Sequence, residues 1–178
     1  MPTKDHGSAK PPSYKKVAIV GLFAALALVL GFIESMIPPI AFLPPGVKIG
    51  LSNVVVMFAA IWLGSASALF IAIIKAAFSL LLRGYLAAIL SFCGGIFSVL
   101  VISLLLLKPK WFGLLGISVA GAVMHNFAQL LAVGIITASP AFAYYSPVLL
   151  LSGILMGTIT ALLLKLLLPL LLRAKALI

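Results

Sequence analysis

The chain has 178 residues, 65% of them hydrophobic, with 12 Lys or Arg against 2 Asp or Glu and a formal charge of +10. About half apolar is usual for a soluble domain, so this composition argues for the lipid bilayer as solvent and leaves no room for a second, soluble domain. The basic residues flank apolar runs and do not interleave with aromatics, which excludes a nucleic-acid surface, and a single cysteine, Cys93, excludes a disulfide framework or a multi-cysteine metal site within one chain.

Residues 1–14 are polar, contain Pro11-Pro12, and read as a disordered tail on the cytoplasmic side. Lys15-Lys16 then precede an apolar run over 17–33. With Ala25-Leu26-Ala27 this run has the outline of a signal peptide. Further apolar runs follow it, where a secreted domain would be expected, so it is read as helix one of a single membrane domain over 15–178. Residues 34–47 hold Pro38, Pro39, Pro44 and Pro45, and proline pairs predict a loop. Helix two is expected over 48–63, Gly64-Ser65 turns, and helix three covers 66–82 up to Arg83-Gly84. Helix four is expected over 85–107, with Lys108-Pro109-Lys110 as a break, and helix five over 112–137. A loop over 138–147 carries Pro140, Tyr144 and Tyr145, before helix six over 148–172 and the terminal Arg173 and Lys175. Tyrosines suit a membrane interface.

Charge sets the topology. With the tail cytoplasmic, the cytoplasmic segments hold Lys4, Lys10, Lys15, Lys16, Lys108, Lys110, Arg173 and Lys175, while the outer loops hold Lys48 and Arg83. That bias follows the positive-inside rule and requires an even number of spans. The expected fold is an all-α membrane protein of six transmembrane helices with both termini cytoplasmic.

Small residues recur at helical spacing. Gly21 with Ala25 and Ala27 with Gly31 form two such pairs in helix one; Ser91 with Gly95 and Gly94 with Ser98 do so in helix four. Such pairs let helices approach closely in lipid, within the chain or against a partner subunit.

Ionisable and polar groups inside apolar runs are costly, so they carry the functional signal. Lys75 lies nine residues into helix three, roughly 14 Å along its axis. That is near mid-membrane, where an ammonium requires a cavity or a partner. His125 and Gln129 are four apart on helix five and share a face, beside Asn126. No second His or suitable carboxylate stands near them, so no metal is expected. Lys48, Ser52 and Asn53 lie toward the outer side, and Glu34 is placed to pair with Lys48 or Arg83, or to touch a ligand. These groups occupy the middle and the outer half, with no line continuing to the cytoplasm. That pattern predicts a pocket open to the outside. Its cations Lys48, Lys75 and Arg83 outnumber Glu34, so an anionic ligand group fits best, with Lys48, Asn53, Lys75, Arg83, His125, Asn126 and Gln129 as the binding candidates.

Three runs carry a resemblance: residues 18–27 (AIVGLFAALA), residues 45–53 (PGVKIGLSN), and residues 119–129 (VAGAVMHNFAQ). They resemble the bacterial Gx transporter family, also labelled heptaprenyl diphosphate synthase component I, over about 15–172. The first run is shared with the S components of energy-coupling factor (ECF) vitamin transporters, which are similar in size. The resemblance implies an S-component-like six-helix bundle in the bacterial inner membrane and a substrate pocket toward the outside. It also implies that the small face of helix one, Gly21, Ala25, Ala27 and Gly31, docks a membrane coupling subunit that works with two ATPases.

The two family labels differ in chemistry, and the residues bear on the choice. Clustered aspartates hold Mg²⁺ and diphosphate in a prenyl diphosphate synthase. This chain has one aspartate, Asp5, in the tail, and no GxxxxGK[ST] loop for ATP. It is therefore expected to be a binding protein without enzymatic activity or cofactor, energised by a partner. An accessory role in heptaprenyl diphosphate synthesis, or a structural role in a quinone- or redox-linked complex, stays open.

Overall fold

The computed structural model describes residues 13–36, 50–138 and 142–175, all but a few helical. Five helices follow in order: α1 Ser13–Met36, α2 Leu51–Trp62, α3 Ser65–Leu105, α4 Pro109–Thr137 and α5 Phe142–Lys175. Four stretches are long and apolar enough to cross a membrane: Tyr14–Met36, Ser65–Leu105, Pro109–Thr137 and Ser146–Leu167. Their outward side chains are apolar; Leu81 and Ile135 are each 81% exposed. In water such a surface would drive aggregation, while in lipid it costs nothing and the helix satisfies every internal backbone group. The protein is a helical membrane protein.

α3 has 41 residues, about 61 Å at 1.5 Å per residue, twice the hydrocarbon thickness of a bilayer. It is not one rod. Gly84 sits at φ 83°, ψ 179°, a conformation that breaks the helix and that residues with a Cβ rarely adopt. Beyond it the chain folds back: a Cβ added to Gly95 would stand 3.2 Å from the Cβ of Ala72, two positions nearly equidistant from Gly84. The arms 65–83 and 85–105 therefore meet side by side. This break falls between the segments predicted as helices three and four.

The remaining boundaries shift for identifiable reasons. α1 runs on through Glu34 to Met36, because only the prolines beyond it stop a helix. α4 begins at Pro109, a position where the missing N–H costs nothing, and bends at Gly113 (φ 60°). α5 begins at Phe142 and carries Pro147 inside it, where a loop is predicted from the sequence. Residues 1–12, 37–49, 139–141 and 176–178, which include most of the expected tail over 1–14 and of the expected loop over 34–47, lie outside the described residues.

Exposed aromatics ring both ends: Tyr14 and Trp111 at the Lys108 end, Tyr85 and Tyr144 at the Gly84 end. Amphipathic rings favour the level of the lipid head groups. α1 packs on α2 and α3, α4 on α3 and α5, and α2 also touches α5. At the Lys108 end, Phe23, Phe58 and Trp62 lock α1 to α2, with ring centroids 5.3–5.7 Å apart.

α2 is the inner helix. Every residue from 54 to 60 is buried. Its 12 residues reach about 18 Å, against about 28 Å for the first arm of α3. Its first turn, at Gly50–Asn53, thus ends inside the bundle, well short of the Gly84 end.

Candidate functional site

A cavity of about 390 Å³ lies beside the first turn of α2. That volume is within the range of small-molecule sites. Its polar floor is built from three helices. α2 supplies Ser52 and Asn53, the first arm of α3 supplies Lys75, and α4 supplies His125, Asn126 and Gln129. Toward the Gly84 end the wall becomes apolar, with Phe78, Leu82, Leu90, Leu130 and Val133. Glu34 and Arg83 also line it.

Each polar group is positioned by a specific contact. The Lys75 ammonium donates to Asn53 Oδ1 and, at 3.3 Å, to Ser52 Oγ. Lys75 is therefore fixed against two side chains of the first turn of α2. His125 is 9% exposed and sits where the second arm of α3 has no side chain. A Cβ on Gly94 would stand 2.8 Å from His125 Cε1 and 3.0 Å from Gln129 Cγ. Gly94 thus makes the space that seats both side chains. Asn126 faces another way, donating to the Leu149 carbonyl at 2.9 Å and to Ser152 Oγ at 3.2 Å. It ties α4 to α5 while still bordering the cavity.

Glu34 is 6% exposed, and its carboxylate accepts the Gly50 amide. Gly50 caps α2 in the left-handed region (φ 80°) with no side-chain cap of its own. α1 thereby supplies the acceptor that the start of α2 lacks. Arg83 is exposed at the tip beside Gly84. Among the described residues Glu34 bonds to Gly50, not to Arg83 as the sequence allows.

The structure brings Asn53, Lys75, Arg83, His125, Asn126 and Gln129 around one cavity. Lys48 lies outside the described residues. Sequence reasoning missed Ser79 in the lining, and it assigned Glu34 to a loop where the structure buries it at the end of α1. The signal for Glu34 was available, because it is the one acid outside the tail. Polar lining also continues deeper than predicted. A void of about 40 Å³ beneath the floor is bordered by Ser98, Ser118 and Thr160. Single hydroxyls are cheap in apolar helices because a backbone carbonyl can accept from them, as the Gly157 carbonyl does from Ser118, so they stand out little in sequence.

The expected docking face divides. Gly21 and Ala25 are exposed, and nothing lies within 4 Å of a Cβ at Gly21. Ala27 is 0% exposed and a Cβ added to Gly31 would stand 3.7 Å from the Cβ of Ser52; both residues line the cavity. The two pairs are six residues apart, which turns them about 120° from each other around α1. Ala27 and Gly31 therefore serve internal packing in this structure, and only Gly21 and Ala25 present a free small-residue face.

The family described as heptaprenyl diphosphate synthase component I matches residues 23–167. No curated protein and no solved structure matches the chain.

Proposed function

We propose, from the premise that this chain belongs to the heptaprenyl diphosphate synthase component I family, that it is a binding subunit for uptake of a small molecule bearing an anionic group. One observation carries this reading: α2 ends inside the bundle, and its first turn meets the Lys75 ammonium at the cavity floor. Glu34 already accepts the Gly50 amide at this helix start, and the Lys75 cation one step further in, in a low dielectric, favours an anion. His125 and Gln129 add donors. The chain binds and does not catalyse.

Counting the arms of α3 separately gives six helices among the described residues, which supports reading the chain as an S-component-like bundle. We place it in the bacterial inner membrane with the Lys108 end cytoplasmic, since Lys15, Lys16, Lys108 and Lys110 gather there. The cavity then opens outward. A reporter fused after residue 178 is expected to read cytoplasmic, and one inserted at 139–141 external. A cytoplasmic signal from the insertion would reverse the orientation.

Energy is to come from a coupling subunit with ATPases, docked on the Gly21 and Ala25 face. Ala25→Trp is expected to abolish cellular uptake while the purified protein retains its small molecule, read by mass spectrometry. Loss of the bound molecule together with uptake would assign that face to the folding of the chain itself. The family description supports a second reading, an accessory component of heptaprenyl diphosphate synthesis. Stimulated prenyl elongation on mixing with a catalytic subunit, with no small molecule retained, would favour it over uptake.

A further inference from the structure

We propose that the molecule held in this cavity is a zwitterion, its anionic group at Lys75 and a cationic N–H group at Glu34. The proposal rests on the reading of the cavity as a ligand site.

Lys75 and Glu34 are ionisable groups of opposite sign in one cavity, on different helices. Both are fixed by the same turn of α2. The Gly50 amide holds Glu34, and Ser52 and Asn53 hold Lys75. Their anchors are therefore two to three residues apart, roughly 3–5 Å along α2. That spacing suits a small molecule with two charged ends.

Capping alone does not explain Glu34. An Asn or Ser oxygen would accept the Gly50 amide without bringing a charge into the membrane. A carboxylate has room for about four hydrogen bonds, and among the described residues Glu34 accepts one backbone amide. A ligand ammonium would use more of that capacity and would bring a charge of opposite sign to it. Against a purely anionic ligand, Glu34 acts the other way, because a like charge in a low-dielectric site is repulsive. Glu34 thus selects among anions and favours those that carry their own cation. The apolar wall of Phe78, Leu82, Leu90, Leu130 and Val133 receives the uncharged body.

Three probes with one indole body separate the charges: L-tryptophan (both charges), indole-3-propionate (anion only) and tryptamine (cation only). Their affinities are measured by calorimetry on the full chain in nanodiscs, for the parent, Glu34→Gln and Lys75→Met. Glu34→Gln keeps an oxygen for the Gly50 amide and so preserves the cap. In the parent, L-tryptophan is expected to bind at least tenfold tighter than indole-3-propionate. Glu34→Gln should bring that ratio to about twofold or less, and Lys75→Met should weaken both. Equal affinities in the parent, or a ratio untouched by Glu34→Gln, would overturn the zwitterion and leave the anion site standing. A preference for tryptamine, or binding indifferent to Lys75→Met, would overturn the anion site as well. Failure of all three probes to bind at millimolar concentration would overturn both.

Discussion

Gly157→Ala is expected to lower the stability of the folded bundle by about 2–4 kcal/mol, read as a fall in the unfolding midpoint in detergent. A Cβ at this position would stand 2.6 Å from the Cα of Val119 and 3.1 Å from the Ser118 carbonyl oxygen. These are backbone atoms and cannot swing aside, so α4 and α5 must separate. Separation also stretches the bond from Ser118 Oγ to the Gly157 carbonyl, now 2.7 Å. Gly153, one turn earlier, meets the Val123 backbone at 3.0 Å in the same way. Lipid supplies no hydrophobic drive between helices, so close backbone contact is what holds such a pair. Gly21→Ala is the control, since it meets nothing within 4 Å. It is expected to leave the midpoint unchanged or slightly higher. A Gly157→Ala protein that melts with the parent would show that this contact does not hold the helices together.

Lys75→Met is expected to weaken binding of the co-purified ligand tenfold or more, because a charged hydrogen bond is worth roughly 1.5–3 kcal/mol. Methionine keeps much of the length and removes the ammonium, so the protein should still insert and fold. The substitution also deprives Asn53 and Ser52 of their donor. Affinity is therefore to be measured beside the unfolding midpoint, in the same detergent. A lower midpoint with unchanged affinity would make Lys75 a brace between α2 and α3 and remove it from the site.

How much was legible depended on what each residue costs in lipid. Lys75, His125 and Gln129 stood out because polar groups in apolar runs are expensive, and all three reach the cavity. Gly84 was legible as a boundary beside Arg83, although a helical pattern alone would run through it. Glu34 was misread because the prolines beyond it predict a loop, while α1 carries it inward before they act. The pair Gly153 and Gly157 has the same four-residue spacing noticed in helices one and four. Spacing says nothing about which neighbour comes close, and that depends on the fold. The same ambiguity joined Ala27 and Gly31 to a docking face from which the rotation of α1 removes them.

The early end of α2 also sets the electrical depth of the cavity. Lys75 lies about 15 Å along the 28 Å arm that begins at Ser65, close to halfway through. On the proposed orientation, a ligand anion reaching it from outside crosses about half the membrane potential. At 100 mV, negative inside, that opposes a single net charge by about 1.1 kcal/mol, or some sixfold in affinity. A molecule of no net charge feels almost none of this. An energised membrane would therefore discriminate against plain anions before any side chain touched them.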